Sequence, residues 1–138
     1  MFEVDFKRLA AFRLALREFQ FFSEQAAEAQ GLTAQQYQAL LAIKGEAGDA
    51  PFTVSVLAQR LLVKHNSAVG LVDRMAQLGL VERRSAPVDR RSVVIAITAR
   101  GEGILRRLAK THREELHRIA PELGRHVRHF ARARQPGG

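Results

Sequence analysis

The sequence contains no cysteine and no tryptophan among its 138 residues. Without cysteine, the chain has no disulfide bonds, no thiolate metal sites and no thiol-based redox sensing. No stretch approaches the roughly 20 apolar residues that span a bilayer. The first residues, MFEVD, lack the basic and then apolar order of a signal peptide. We therefore expect a cytoplasmic protein with no membrane partner.

Acidic residues are also scarce relative to basic ones. The chain has 22 Lys and Arg against 14 Asp and Glu, which gives a formal net charge of +8. Such an excess favours a polyanionic partner, and nucleic acid more often than an anionic membrane surface. Most of the cations are arginine, which suits bidentate contacts with phosphate and guanine.

No catalytic constellation is visible. Glu114 and Glu115 are adjacent on a predicted helix, where neighbouring positions do not face each other, and no serine or histidine stands in a nucleophile elbow. His126 and His129 have the i, i+3 spacing of a helical metal site, but the arginines beside them would repel a cation. We predict no catalytic residue, no metal site and no cofactor.

The central stretch, residues 54–98, has the most informative pattern. Leu57, Ala58 and Leu61 predict a helix packed by one face, with Thr53 or Ser55 as its N-cap. A polar break follows at 64–67, and Gly79 then supplies a left-handed stop. Between the break and this stop, apolar residues recur at helical spacing: Ala68, Val69, Leu71, Val72, Met75 and Leu78.

The opposite face of this second helix is polar and small near its start, which is typical of a helix that enters the DNA major groove. Asn66 or Ser67 as a simple helix cap is an alternative that stays open, and the two roles can coexist. For Asp73 and Arg74, local ion pairs or phosphate contacts are favoured over base contacts. The face comprises Asn66, Ser67, Gly70, Asp73, Arg74 and Gln77.

Two runs rich in β-branched residues, 80–84 and 92–97, bracket a long basic loop and predict a hairpin. Arg90 and Arg91 in this loop suit phosphate or minor-groove contacts, with Asp89 pairing one of them. A solvated charged turn is the alternative. Helix, turn, helix and hairpin in this order describe a winged helix-turn-helix.

These motifs together resemble the MarR family of bacterial transcription regulators. The family's hallmarks are a GLV-type helix end, an Asp-x-Arg wing tip and a Leu-Thr-x-x-Gly start of the next helix. Here they stand as Gly79-Leu80-Val81, Asp89-Arg90-Arg91 and Ile97-Thr98-Ala99-Arg100-Gly101, with isoleucine replacing leucine before the threonine. The resemblance extends over nearly the whole chain, because helices are predicted on both sides of the central stretch.

Periodic apolar residues predict a long helix from Asp5 to about Gln30. A capping box at 33–36 predicts a second helix that buries Tyr37, Leu40 and Leu41. Beyond the hairpin, Thr98 fits the N-cap of a third long helix, on whose apolar stripe a buried, hydrogen-bonded His112 is expected. Pro121 fits the first turn of a separate last helix.

The expected fold class is mainly α with a small β-hairpin wing. It is a winged helix-turn-helix with long N- and C-terminal dimerisation helices. One domain over 1–138 divides into a DNA-binding region at 33–98 and dimerisation helices at 1–30 and 99–134. The resemblance implies a homodimer that binds a pseudo-palindromic operator in double-stranded DNA. A winged-helix module that binds protein or RNA instead is the alternative.

Three groups of site residues follow. For DNA we expect base-edge contacts or close approach from His65, Asn66, Ser67 and Gly70, phosphate contacts from Lys64, Arg74 and Arg84, and the wing residues Asp89, Arg90 and Arg91. The resemblance implies a small, often aromatic effector between the dimerisation helices and the winged helix, with Arg13, Arg17, Phe19, Phe22 and Tyr37 as candidate contacts. Dimer contacts are expected from Phe2, Phe6, Leu116, Ile119, Leu123, Val127 and Phe130.

Overall fold

A computed structural model of the protein describes residues 4–46, 48, 50–85 and 93–133. Within these residues the chain forms five helices and one antiparallel hairpin. In chain order they are α1 (Phe6–Ala29), α2 (Ala34–Gly45), α3 (Val54–Leu61), α4 (His65–Gln77), β1 (Val81–Ser85), β2 (Val93–Ile97) and α5 (Ala99–Ala133). The winged helix-turn-helix predicted from the sequence is therefore present.

The first helix begins beside its predicted start at Asp5, and the second begins at its predicted capping box. The Asp5 side chain accepts a hydrogen bond from the Arg8 amide at 2.9 Å. Thr33 and Gln36 form the predicted capping box, with bonds of 3.0 and 3.1 Å. The expectation that Leu41 is buried is wrong, since its side chain is 46% exposed. The buried face of α2 is set by Gln36, Tyr37, Ala39, Leu40 and Ile43, and the helical rotation carries Leu41 out of it.

Three helices end in a residue with left-handed backbone, which satisfies carbonyls that lack a partner within the helix. Gly31 (φ 79°) and Gly79 (φ 73°) fill this role after α1 and α4, as the sequence predicts for Gly79. After α3 the same role falls to Leu62 at φ 57°, and the next amide, of Val63, bonds the Ala58 carbonyl at 3.0 Å. Leu62 fixes the turn between α3 and α4.

The start of α4 differs from the expectation. Its N-cap is Lys64, which makes no side-chain capping bond, and Asn66 and Ser67 lie inside the first turn. The simple-cap alternative for these two residues is therefore wrong, because helical geometry already begins at His65. The N-cap of α3 is Thr53, whose Oγ1 accepts from the Val56 amide at 3.2 Å.

Apolar residues of α3, α4 and the hairpin form one core with α2 and the start of α5. Val81 pairs with Ile97 and Arg83 with Ile95 in the hairpin. The segment before α3 joins the sheet edge, since the Ile95 amide donates to the Phe52 carbonyl at 2.8 Å. Core side chains from α4 are Ala68, Leu71, Val72 and Met75, whereas Val69 and Leu78 are 37% and 44% exposed.

The junction between the hairpin and α5 is held by Thr98. Its hydroxyl donates to the Gly79 carbonyl at 2.6 Å and accepts from the Gly101 amide at 3.0 Å, so it caps α5 as predicted. The Thr98 amide also donates to the Leu80 carbonyl at 3.1 Å. Gly101 packs directly on the backbone, because a Cβ there would lie 2.2 Å from the Leu80 oxygen.

The expectation of a separate last helix from Pro121 is wrong, because α5 continues through this residue to Ala133. Proline removes one hydrogen bond of a helix and disfavours its interior. Here α5 is held against α1 on both sides of Pro121. His112 bonds Ser23 before it, and Phe130 packs on Phe12 after it, with ring centroids 6.2 Å apart. These tertiary contacts override the local signal.

His112 is buried and hydrogen-bonded, as predicted. Its Nδ1 lies 2.7 Å from the Leu108 carbonyl oxygen and its Nε2 lies 2.8 Å from Ser23 Oγ. The ring stacks on Tyr37 at 4.3 Å, and burial raises the pKa of the Tyr37 hydroxyl. Three helices, α1, α2 and α5, therefore meet at one imidazole.

None of the helices in the described ranges combines the length and apolarity needed to cross a bilayer. Nor do three or more His, Asp or Glu residues meet as a metal-binding group in this part of the chain.

The contact between Gly101 and Leu80 predicts a large effect of one methyl group. Gly101→Ala should lower the free energy of unfolding by about 3 kcal/mol, at the upper end of overpacking costs, because the obstacle is backbone. Gly103→Ala is the matched control, since its Cβ would approach only an arginine tip at 3.8 Å. It should raise stability by about 0.5–1 kcal/mol. Equal effects of the two changes in urea unfolding would contradict the close contact.

Glu102 links α2 to α5 and predicts a pH dependence. Its Oε1 accepts from Lys44 Nζ and from Arg106 Nη2, both at 2.9 Å, and the Lys44 hydrogen bond chiefly lowers its pKa. A carboxylate with a lowered folded-state pKa stabilises the fold above its unfolded-state value, and this stabilisation is lost as pH falls through the folded value. Melting temperatures from pH 7 to pH 3 should therefore fall less for Glu102→Gln than for the wild type. An identical decrease of melting temperature with pH in the two proteins would count against a stabilising ion pair between Glu102 and Lys44.

Candidate nucleic-acid interface

One face of α4 is polar and open to solvent. Asn66, Arg74 and Gln77 are exposed and Gly70 is half-buried among them, at spacings of three to four residues. Side chains at such spacings lie above one another on a helix. The opposite face enters the core, so α4 is anchored along its length.

The N-terminal end of α4 concentrates groups that attract anions. Lys64, His65, Asn66 and Ser67 are all exposed, and Lys64 offers no capping bond. The first amides of a helix have no partner within it, and the helix dipole makes this end positive. A phosphate or a base edge can therefore be met there by backbone and side-chain donors together.

An ion pair between Arg83 of β1 and Asp73 of α4 joins the hairpin to the helix. Arg83 is not among the site residues predicted from the sequence. The alternation of side chains along a strand could have identified it, because Arg83 lies two residues from buried Val81 and so lies on the same face of the strand. Beside this pair a cavity of about 120 Å³ is lined by Thr53, Val54, Ser55, His65, Val69, Val72, Asp73, Arg83 and Val93.

Arg84 lies on the other face of β1. Its guanidinium pairs with Glu82 at 3.1 Å, and the side chains of both residues are largely exposed. Such a pair is worth little in water, so the guanidinium can exchange this partner for a phosphate. The predicted wing residues Asp89, Arg90 and Arg91 lie outside the described residues.

The candidate effector residues are not brought together into one cavity. Phe19, Phe22 and Tyr37 surround the His112 ring, and Tyr37 is buried there. Arg13 is exposed on α1. An open groove of about 550 Å³ contains Arg17 and Phe22, and its lining is Arg17, Glu18, Phe21, Phe22, Gln25, Glu115 and Arg118.

The candidate dimer residues lie on α1 and α5, apart from Phe2, which is outside the described residues. Phe6, Val127 and Leu116 are 77%, 54% and 43% exposed. Ile119, Leu123 and Phe130 are half-buried. Further apolar side chains of α1 are exposed beside them: Leu9, Leu14, Leu16 and Phe21.

Comparisons with known proteins find one family model and several similar solved structures. A family model described as MarR family matches residues 30–92. The fold is similar to wild-type MarR of E. coli, with 24% identity, a TM-score of 0.71 and coverage of 89% of this chain and 85% of that one. It is similar to RV1404 of Mycobacterium tuberculosis, with 24% identity, a TM-score of 0.71 and coverage of 99% and 97%.

A third similar structure is a complex of S. aureus MepR with DNA, with 18% identity, a TM-score of 0.72 and coverage of 87% of this chain and 85% of MepR. At these identities the structural matches show the fold. A search of curated proteins finds no match. The resemblance and the fold class predicted from the sequence are confirmed.

The uncapped start of α4 predicts that Lys64→Ser stabilises the protein. Lys64 already has the extended backbone of an N-cap, at φ −70° and ψ 153°, so a serine hydroxyl there can accept an amide hydrogen bond. We expect the free energy of unfolding to rise by about 0.5–1 kcal/mol. Urea unfolding measures it, with Lys64→Ala as the control for removal of the charge. A serine variant no more stable than the alanine variant would contradict the prediction.

Proposed function

Because the chain has the fold of the MarR family and matches that family's model over residues 30–92, we propose that it is a sequence-specific, DNA-binding regulator of transcription. The observation that supports this most is the exposed polar stripe of α4 beside the hairpin. The stripe has the residue types that read base edges, and the strongly basic chain supplies the phosphate attraction.

In this proposal the start of α4 contacts base edges through His65, Asn66 and Ser67, and Gly70 lets the helix approach the groove closely. Lys64, Arg74 and Arg84 bind phosphates. To these we add Arg83, which Asp73 holds at the boundary between α4 and β1. From the sequence, Arg90 and Arg91 extend the contacts to the minor groove, with Asp89 as their ion-pair partner.

The regulator acts as a homodimer formed by α1 and α5. The exposed apolar side chains of Phe6, Leu116 and Val127 support this part of the proposal, because a single subunit leaves these large apolar groups in water. A twofold axis would place two α4 helices in successive major grooves, about 34 Å apart, over a pseudo-palindromic operator.

Repression is released by a small aromatic acid in this proposal. The groove along α1 and α5 offers the matching chemistry, since Arg17 and Arg118 lie beside the rings of Phe21 and Phe22. By linkage, a ligand that weakens DNA binding tenfold must bind the DNA-free protein tenfold more tightly.

The test is a titration of duplex DNA from upstream of the protein's own coding region at several salt concentrations. Asn66→Ala/Ser67→Ala should reduce the binding preference for this upstream duplex over random duplex. We expect a loss of about 1–3 kcal/mol for each contact removed between a side chain and a base. Lys64→Ser should make the slope of log affinity against log salt shallower by about 0.9 for each phosphate that the variant no longer neutralises.

Lys110→Ala/Arg113→Ala is the matched control, because both side chains are exposed on α5 and neither is among the proposed DNA contacts. It should leave specificity unchanged. If the wild type shows no preference for any duplex while binding RNA or a protein partner, the regulator proposal is wrong and the winged helix serves as a different binding module.

A further inference from the structure

Five basic side chains converge at the end of the molecule formed by the start of α1 and the end of α5. They line a cavity of about 270 Å³, which we call the basic cradle: Arg8, Arg125, Arg128, His129 and Arg132. Among the described residues, no carboxylate lines this cavity. Its lining is therefore strongly basic and separate from the proposed DNA interface.

The basic cradle is remote from that interface along the chain's longest helix. Arg128 follows Ala99, the first residue of α5, by 29 positions. At 1.5 Å per residue the separation is roughly 44 Å. The duplex bound by α4 of the same subunit therefore does not account for this cluster.

Helical spacing aligns the arginines of α5. Arg125, Arg128 and Arg132 follow one another at three and four residues, so they share one face. Gly124 lets Arg128 lie close against the helix, because a Cβ at Gly124 would be 2.9 Å from Arg128 Nη1. A glycine inside a helix costs about 1 kcal/mol relative to alanine.

The remaining two groups are oriented by neighbours. Arg8 Nη1 lies 3.5 Å from Nδ1 of buried His126. His129 Nε2 lies 3.1 Å from Asp5 Oδ2, while Asp5 Oδ1 caps α1. These contacts set the position of the basic groups before any ligand arrives, which reduces the ordering cost of binding.

A helix dipole alone does not explain this arrangement. The negative C-terminal end of a helix attracts cations within its last turn, which accounts for Arg132. It does not account for Arg125, two turns earlier, or for Arg8 on another helix. Gathering like charges around one cavity is unfavourable, by about 1 kcal/mol for a pair 4 Å apart in water, and an anion in the cavity removes that repulsion.

We propose that the basic cradle binds a phosphorylated small molecule. Guanidinium groups form paired hydrogen bonds with phosphoryl oxygens. The cavity is just below the range of about 300–1,000 Å³ typical of drug-sized ligands, which favours a compact, multiply charged anion. Such a ligand bridges α1 and α5, so its binding stabilises their packing whether or not the chain binds DNA.

The test is calorimetric titration of the full chain with inorganic pyrophosphate at low salt. We expect saturable binding that Arg125→Ala/Arg128→Ala weakens at least tenfold. Arg125→Lys/Arg128→Lys retains the charge but loses the paired guanidinium donors. Its pyrophosphate affinity should therefore lie between those of the wild type and the alanine variant. Lys110→Ala/Arg113→Ala removes the same charge from the same helix and should change the affinity less than twofold.

Absence of saturable binding to the wild type would overturn the proposal, as would equal weakening in the two alanine variants, which would mean general attraction to net charge. A parallel titration with duplex DNA tests whether the basic cradle binds DNA phosphates instead of a phosphorylated small molecule. The Arg125→Ala/Arg128→Ala variant should retain its duplex affinity within twofold. A matching decrease of duplex and pyrophosphate binding would assign the cluster to DNA phosphates and reject a small-molecule site.

Discussion

The close contact of Gly101 with the Leu80 carbonyl is the constraint on which the rest of the molecule depends. Thr98 reinforces it by bonding both Gly79 at the end of α4 and Gly101 in the first turn of α5. The end of the DNA-facing helix, the base of the hairpin and the start of the longest helix therefore meet at one point. A side chain larger than hydrogen at position 101 would separate all three.

Local signals in the sequence specify most element boundaries. The capping box at Thr33, the cap at Thr98 and the glycine stop at Gly79 stand where the structure places them, because each acts through backbone groups only a few residues away. The polar stripe of α4 was equally predictable, since helical periodicity alone separates its faces. For these features, sequence and structure carry the same information.

Features that depend on distant partners were not predictable from one sequence. Pro121 lies inside α5 because contacts with α1 flank it, and no local pattern encodes those contacts. The pairing of Arg83 with Asp73 requires the hairpin to fold back on α4. Phe19 and Tyr37, which the resemblance implies as candidate effector contacts, surround the ring of His112. The part of the candidate site on α4 could thus be predicted from the sequence. The prediction for the hairpin was incomplete, because it lacked Arg83.

The continuity of α5 has a mechanical consequence. Its 35 residues form a rod roughly 52 Å long, fastened at its base beside α4. Because α1 packs on α5 on both sides of Pro121, the two helices move together, and a tilt of about 5° at the base of α5 displaces its far end by about 4–5 Å over that length. Small angular changes of α5 beside the hairpin therefore produce displacements of several ångström at its C-terminal end.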